Sequence, residues 1–220
     1  MGNDNSLIVN NLANISHRSW DLRIFDKRTE NYKKGANYFR DLNYNVLPGK
    51  HKNNMMEAGA AYKYLRDPEN YDFRPRLDSP LIQAGRPVLA TENPNKYTSV
   101  RALYNEDSKT NIDIGAYQSD HNYYWIPGYR AVHASTPIPK NNAVVSGRNI
   151  DLMFLEAYQS STHSVYFGRN PNSLQLVATL KDSNICTVPK LVSGETYFWR
   201  VDAVREDATS EGPLWSFTTN

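Results

Sequence analysis

The sequence is poor in cysteine and has no long apolar run, and these two absences narrow its class. Cys186 is the only cysteine in 220 residues, so a small scaffold held together by disulfides is excluded. No segment reaches the roughly 18 consecutive apolar residues that a membrane-spanning helix requires, so we expect no membrane span. The first residues also lack the basic and apolar regions of a signal peptide. If the protein is secreted, we expect its export signal upstream of this sequence.

A strong charge of one sign and the common catalytic motifs are also missing. The formal net charge is +2, which is far from the basic excess that a nucleic-acid partner requires. The five histidines are not spaced as H-x-x-x-H or H-x-H, so we expect no zinc site. There is no P-loop, G-x-S-x-G or G-x-G-x-x-G motif. Cys186 lies on a predicted strand, where a small core residue is favoured over a nucleophile.

A segment rich in turn signals stands out at residues 72–85, which read D-F-R-P-R-L-D-S-P-L-I-Q-A-G. Pro80 fixes its own φ and pushes Ser79 towards an extended conformation, and Gly85 permits a turn with positive φ. Further along, D-I-G-A-Y at 113–117 predicts a short strand that ends at Gly115.

These two motifs together resemble the closing segment of right-handed parallel β-helix proteins, many of which are secreted polysaccharide lyases and glycoside hydrolases. The resemblance covers roughly residues 67–118. It departs from the usual pattern at Gln83, where the family commonly has Asp. The resemblance implies that residues 1–120 are the last coils of a β-helix with capping loops, and that the rest of the β-helix lies upstream.

Short strands are predicted in the N-terminal part of this region. Ser6–Leu12 is a β-branched run, and Trp20–Phe25 alternates apolar and charged residues. Asn10 and Asn11 could stack as an asparagine ladder between β-helix coils or form an ordinary Asx turn, and the sequence leaves both open. Residues 57–65 are the best helical candidate, placed to cover an open strand edge.

This region contains candidate residues for catalysis on sugars and for sugar binding, but their spacing does not single out an active site. Polysaccharide lyases need a base, and a cation that neutralises a uronate carboxylate, often Lys or Arg with Ca²⁺. We therefore expect Ca²⁺ only in a parent enzyme and no cofactor in this chain. A pair of carboxyl groups for glycoside hydrolysis cannot be selected by spacing. A basic run on a loop is usually a solvated face, and the alternative is a clamp for sugar carboxylates. The basic candidates are Lys27, Arg28, Lys33, Lys34, Arg74 and Arg76, and the acidic ones are Asp21, Asp26, Glu30 and Asp72.

An aromatic segment follows at residues 121–133, with Tyr123, Tyr124, Trp125 and Tyr129 close together. Aromatic faces bind the apolar faces of pyranoses, so this segment could be a stacking platform for sugar rings. The alternative is a plug that packs one domain onto the other, and we favour the plug. Residues 134–139 (A-S-T-P-I-P) predict an extended linker into a second domain.

The last part of the chain predicts a β-sandwich. Short strands are expected at 151–155, 163–168, 174–179, 185–188, 196–204 and 214–218, separated by Pro, Gly, Asn and Ser turns. Residues 197, 199, 201 and 203 are apolar or aromatic, so they predict the inner face of one strand.

Residues 191–197 (L-V-S-G-E-T-Y) resemble the tyrosine corner of fibronectin type III domains, in which Tyr197 would hydrogen-bond to the backbone near Leu191. V-Y-F-G at 165–168 and G-P-L-W-S-F-T-T at 212–219 extend the resemblance over residues 134–219, to the variant appended to bacterial carbohydrate-active enzymes. Phe154 stands where the family usually has a core Trp. We expect Trp199 and Trp215 in the core beside it.

The sequence therefore predicts an all-β chain: terminal coils of a right-handed parallel β-helix (1–120), an aromatic linker (121–133) and a fibronectin type III-like sandwich (134–220). We expect an extracellular or cell-surface accessory piece of a polysaccharide lyase or hydrolase, inactive alone. Its expected partner is a polysaccharide, with an acidic one left open. The alternative is a non-catalytic adhesion module that binds glycans or proteins. Gly85 and Gly115 are expected to be structural, as are Tyr197, Trp199, Trp215 and Phe154.

Overall fold

The structure, a computed structural model, describes residues 7–9, 12–15, 50–52, 55–85, 111–206 and 208–220. The chain divides into two compact units. Unit 1 contains residues 1–66 and 73–119, and unit 2 contains residues 67–72 and 120–220. The described residues are almost entirely strands, turns and irregular backbone.

Unit 1 begins with two pairs of parallel strands. Strand β1 (Leu7–Val9) pairs with β3 (Lys50–Lys52), and β2 (Leu12–Ile15) pairs with β4 (Met55–Ala58). Leu7 lies opposite Lys50 and Leu12 lies opposite Met55, so both pairs share one sequence offset. Each pair is a separate two-stranded sheet, and the described residues do not by themselves show a β-helix solenoid. The predicted strand at 20–25 lies outside the described residues.

The helix in unit 1 is shorter than predicted. Helix α1 spans only Ala60–Tyr64, because the first residues of the predicted helix pair in β4 and Gly59 then turns the chain with φ 73°. That left-handed conformation carries little penalty for glycine and cannot continue an α-helix. Strand β5 (Leu65–Asp67) follows, then a 3₁₀ turn (Pro68–Asn70) and strand β6 (Asp72–Pro75), which pairs with β5.

The turn-rich motif of unit 1 forms a backbone clasp. The Ile114 amide donates to the Leu81 carbonyl (2.9 Å), and the Gly85 amide donates to the Ile112 carbonyl (2.7 Å). A Cβ on Gly85 would lie 2.7 Å from that carbonyl oxygen, which explains glycine at this position. Instead of a strand at 112–114, the structure has a single bridge between Gly85 and Ile112. Leu81, Ile114 and Leu65 form the buried core of this unit.

The carboxylate of Asp113 closes the clasp. Its two oxygens accept the backbone N–H groups of Gln83 (2.8 Å) and Ser119 (2.6 Å), and Asp113 is itself buried. Bonds between a carboxylate and backbone N–H groups are stronger than neutral hydrogen bonds. The side chain at position 83, where the resembled family has Asp, is exposed, so the clasp depends on the backbone there rather than on a carboxylate.

Unit 2 is a two-sheet sandwich. One sheet has the order β12-β9-β7, and the other has the order β11-β10-β13-β15-β8, with β14 beside β13. All pairs are antiparallel except β15 with β8. The strands are β7 (Ser135–Ile138), β8 (Ala143–Val145), β9 (Ile150–Leu155), β10 (Thr162–Gly168), β11 (Gln175–Lys181), β12 (Ile185–Val188), β13 (Thr196–Val204), β14 (Thr209–Ser210) and β15 (Trp215–Thr219).

The predicted strands of the sandwich are all present, with ends shifted slightly. The segment at 134–139, however, is not a linker. Residues 135–138 form β7, an outer strand of the smaller sheet. Pro137 does not prevent pairing, since proline is tolerated on edge strands, where no second neighbouring strand needs an N–H donor.

The core of the sandwich lies between the two sheets, where alternating residues point inward. On β13, Tyr197, Trp199, Val201 and Ala203 are buried, as the sequence pattern predicts. Trp199 is fully buried and packs on Trp215, with ring centroids 4.6 Å apart. From the opposite sheet, Phe154 and Cys186 are buried in the same cluster. Burial of apolar surface contributes about 25 cal/mol per Å², so these large rings dominate the stability of the sandwich.

Candidate functional site

The aromatic segment lies along the sandwich with alternating orientation. Tyr124 and Ile126 are buried, with only 2% and 6% of their surface exposed. The neighbouring Tyr123 is half-buried, and Trp125 keeps 39% of its surface exposed. Successive side chains of an extended backbone point to opposite sides, so Tyr123 and Trp125 share the outer side of the segment.

A buried amide fixes this segment in place. The Asn184 side-chain oxygen accepts the Tyr124 N–H (2.8 Å), and its Nδ2 donates to the carbonyls of Tyr124 (2.7 Å) and Phe154 (2.8 Å). The Tyr124 hydroxyl donates to the Tyr71 carbonyl (2.5 Å). Asn184 is fully buried, and satisfied buried networks of this kind make the backbone rigid. No sequence pattern marks Asn184, because an Asn before a strand resembles an ordinary turn residue.

Three polar side chains on the outer side form what we call the Tyr–Arg–Glu cluster: Tyr123, Arg130 and Glu156. Oε2 of Glu156 accepts from the Tyr123 hydroxyl and from Nη2 of Arg130 (2.6 Å). The same Nη2 lies 3.3 Å from the Tyr123 hydroxyl. The Glu156 side chain is 15% exposed and that of Arg130 is 48% exposed. One side of the cluster is therefore packed against protein while the guanidinium faces water.

Two exposed tyrosines flank the cluster. Tyr129, next to Arg130 in the chain, is 92% exposed, and Tyr158 is 56% exposed. The Tyr158 amide donates to the Ala131 carbonyl (2.7 Å), which places the two loop segments side by side. Ala157 is fully buried, so Glu156 and Tyr158 on either side of it point outward.

Arg205 holds these loops together. Its guanidinium donates to the carbonyls of Tyr158 (3.2 Å) and Val132, and to the Ser210 hydroxyl (2.8 Å). These hydrogen bonds join three loop segments that are far apart in sequence, so Arg205 serves the structure of this end of the sandwich.

His163 lies beneath the cluster. Its Nε2 accepts the Ala157 N–H (3.2 Å), and the residue is almost completely buried. Burial lowers the pKa of His163, the Glu156 carboxylate opposes this, and Arg130 and Arg205 lower it further. A neutral imidazole is therefore the form that supports the backbone next to Glu156.

The predicted sugar-binding residues are distributed over both units. In unit 2, Tyr123, Trp125 and Tyr129 contribute to the outer side, whereas Tyr124 is buried and acts as an anchor. In unit 1, Arg74 is buried on β6, and Arg76 is exposed, with Nε 3.7 Å from Oδ1 of Asp78. The basic and acidic candidates at residues 21–34 lie outside the described residues. Sequence reasoning missed Arg130, Glu156 and Tyr158, since only the pairing of distant loops brings them together.

Two further observations concern the described residues only. Within them, no group of three or more His, Cys, Asp or Glu side chains is arranged to hold a metal ion. No helix in these ranges is long and apolar enough to cross a membrane.

Neither a protein-family model nor a curated protein matches the sequence. Among solved structures, an Fn3-like protein from Clostridium thermocellum is 16% identical and matches 42% of this chain and 96% of its own, with a TM-score of 0.35. The fibronectin type III domain of human fibronectin type III domain containing protein 3 is 14% identical (43% of this chain, 90% of its own, TM-score 0.32). A β-1,2-glucanase from Parabacteroides distasonis is 18% identical over 50% of this chain and 15% of its own, with a TM-score of 0.33.

The fold of the C-terminal part is assigned from the strand order and the hydrogen bonds of the sandwich itself. A three-stranded sheet faces a larger sheet, and β13 begins with a tyrosine corner, in which the Tyr197 hydroxyl accepts the Val192 N–H (2.9 Å). This is the hydrogen bond that the sequence motif at 191–197 requires. The C-terminal sandwich of this chain therefore has the sheet arrangement and the tyrosine corner of a fibronectin type III-like fold.

Proposed function

We propose that this chain is a non-catalytic, glycan-contacting accessory part of an extracellular protein that acts on polysaccharides. In this proposal residues 134–220 are the sandwich, residues 121–133 are an aromatic segment packed on it, and residues 1–120 are terminal coils of a β-helix that continues upstream. The chain itself has no lyase or hydrolase activity, and its contribution is to cap the coils and to hold the polysaccharide.

The outer side of the aromatic segment carries the proposal. Trp125 and Tyr129 are exposed there, and Asn184 fixes the backbone of Tyr124, the residue that precedes Trp125. Large aromatic rings that are exposed close together offer flat apolar faces that a ligand can cover. The apolar face of a pyranose ring is such a ligand, and its hydroxyl groups suit the polar Tyr–Arg–Glu cluster beside it.

The parallel ladders of unit 1 support the β-helix part of the proposal. Successive coils of a β-helix stack strands in parallel at a constant offset, and β1–β3 and β2–β4 share one offset. In the sequence, the pairs Asn10-Asn11 and Asn53-Asn54 stand at that same offset.

Binding to polysaccharides tests the proposal. Affinity gel electrophoresis of the whole chain against a panel of neutral and acidic polysaccharides should show retardation by at least one of them. Trp125→Ala combined with Tyr129→Ala should abolish it. Tyr62→Ala removes a ring that is also exposed, at 61%, but lies on α1 of unit 1, and this variant should bind like the wild type.

Two results would contradict the proposal. One is that no polysaccharide retards the chain, and the other is that the double variant is retarded as strongly as the wild type. Incubation with acidic polysaccharides should in addition give no unsaturated products absorbing near 235 nm, and their appearance would show that the chain is catalytic.

A further inference from the structure

We infer that the Tyr–Arg–Glu cluster, with Tyr129 and Tyr158 beside it, binds a sugar unit of a neutral glycan and selects against acidic ones. This inference rests on the proposed function and adds three residues to its site: Arg130, Glu156 and Tyr158. It also decides the class of sugar, which the sequence leaves open.

The hydrogen-bonding groups of the cluster match two neighbouring sugar hydroxyls. In the described part of the chain, the hydrogen bonds within the cluster use Oε2 of Glu156 and Nη2 of Arg130. Oε1 of Glu156 is left as an acceptor, and Nη1 and Nε of Arg130 are left as donors. Each sugar hydroxyl both donates and accepts, so a vicinal pair of hydroxyls can satisfy an acceptor and a donor that lie side by side.

The charges of the site do not suit a uronate. The carboxylate of Glu156 compensates the guanidinium of Arg130 at 2.6 Å, so a second carboxylate entering here would meet a like charge. The other guanidinium at this end, that of Arg205, donates to carbonyl and hydroxyl oxygens of the protein. By sequence it is followed by Glu206 and Asp207, so the loops carry no excess of positive charge that would attract an acidic polymer.

The exposed rings supply the apolar contact. Tyr129 (92% exposed) and Tyr158 (56% exposed) stand on neighbouring loop segments. A tyrosine gives a rigid flat face with a polar tip and loses little conformational entropy on binding. A pyranose that stacks on these rings would point its hydroxyl groups towards the Tyr–Arg–Glu cluster.

The experiment compares affinities of the full chain, measured by calorimetry and affinity electrophoresis. The neutral probes are mixed-linkage β-glucan, glucomannan and xyloglucan, and the acidic probes are polygalacturonate and alginate. We expect the wild type to bind at least one neutral probe and to bind both acidic probes at least tenfold more weakly.

Two variants locate the site. Tyr129→Ala with Tyr158→Ala should weaken neutral binding about tenfold or more, and because both rings are exposed this variant keeps its melting temperature. Glu156→Gln keeps an amide oxygen for Tyr123 and Arg130 but removes the charge, so binding of the acidic probes should rise severalfold. Tyr62→Ala is the control and should change neither affinity.

The outcomes separate this inference from the proposed function. If the wild type prefers polygalacturonate or alginate, the inference is wrong while the proposed function stands. Neutral binding that survives loss of both tyrosines also overturns the inference. If no probe binds at all, both fail. Should Glu156→Gln not fold, the tyrosine variant and the ratio of wild-type affinities decide.

Discussion

The two units of this chain are stabilised in different ways. Among the described residues, the core of unit 1 consists of Leu65, Leu81 and Ile114 with partly buried neighbours, and the unit depends on a clasp of backbone hydrogen bonds. The sandwich of unit 2 instead buries fourteen residues in one cluster, including Trp199, Trp215 and Phe217. Loss of a hydrogen-bond acceptor is therefore the sharpest test of the clasp, whereas loss of side-chain volume is the sharpest test of the sandwich core.

The largest effect is expected from Trp199→Ala in the sandwich. Removing a fully buried indole leaves a cavity between the sheets and should cost about 3–5 kcal/mol of unfolding free energy. Chemical denaturation followed by tryptophan fluorescence and circular dichroism measures this loss, and the transition of unit 1 should not move. Leu214→Ala, at a side chain that is 45% exposed, is the control and should have almost no effect. An unaltered transition for Trp199→Ala would place the indole outside the core.

Unit 1 should respond most to Asp113→Ala. This change leaves the N–H groups of Gln83 and Ser119 without their acceptor, and should destabilise unit 1 by about 1.5–3 kcal/mol. Hydrogen exchange of those two amides, read by mass spectrometry or NMR, should increase while exchange in the sandwich stays constant. Asp78→Ala, whose side chain is 84% exposed, is the matched control. Equal protection in both variants would show that the carboxylate does not hold the clasp.

A smaller effect is expected from Tyr197→Phe, which keeps the buried ring and removes one hydroxyl. The Val192 N–H then loses its acceptor, at a cost of about 0.5–1.5 kcal/mol. Thermal melting should show a modest decrease that Tyr166→Phe, on the outer face of β10, does not reproduce. A decrease as large as that of Trp199→Ala would mean that the corner, rather than core volume, limits the stability of the sandwich.

The smallest effect is expected from a change of pH, which acts on the stability of the sandwich through His163. Because the pKa of His163 is lowered in the folded protein from its ordinary 6.5, the folded state binds fewer protons than the unfolded chain. Its contribution to stability is therefore complete above pH 6.5 and is lost as pH falls from there through the lowered folded pKa. The melting temperature of the sandwich should fall more steeply on acidification in the wild type than in His163→Gln, whose amide oxygen can accept the Ala157 N–H. Parallel curves would contradict a buried neutral imidazole.

Sequence patterns predicted the sandwich better than unit 1, and the reason is physical. Alternation along residues 197–203 reports directly which side chains are buried, and the tyrosine corner is a local motif. The motif at 72–85 was recognisable, but it works through backbone groups and Asp113, which composition and periodicity do not report. Helix α1 was predicted too long, since Glu57 and Ala58, the first residues of the predicted helix, pair in β4 instead.

The candidate site was predicted only in its aromatic part. Tyr123, Trp125 and Tyr129 are close in sequence, so their clustering was visible. Glu156 reaches Tyr123 across 33 positions of the chain, and no pattern in a single sequence marks such a pair. β7 was missed because its prolines suggested a linker, although an edge strand accepts them.

The position of Asn184 has a practical consequence for dissecting the chain. The Asn184 side chain makes the two hydrogen bonds to the Tyr124 backbone that a neighbouring strand would otherwise make, although Tyr124 comes sixty positions earlier in the chain. The segment before β7 is therefore part of the folded sandwich. A recombinant sandwich that starts at Ala134 would expose the surface that Tyr124 covers, and the buried amide of Asn184 would lose its hydrogen bonds to Tyr124. A version that starts at Asp120 keeps the hydrogen bonds between Asn184 and Tyr124 but removes residues 67–72 of the same unit, including the Tyr71 carbonyl that accepts the Tyr124 hydroxyl, so ligand work calls for the whole chain.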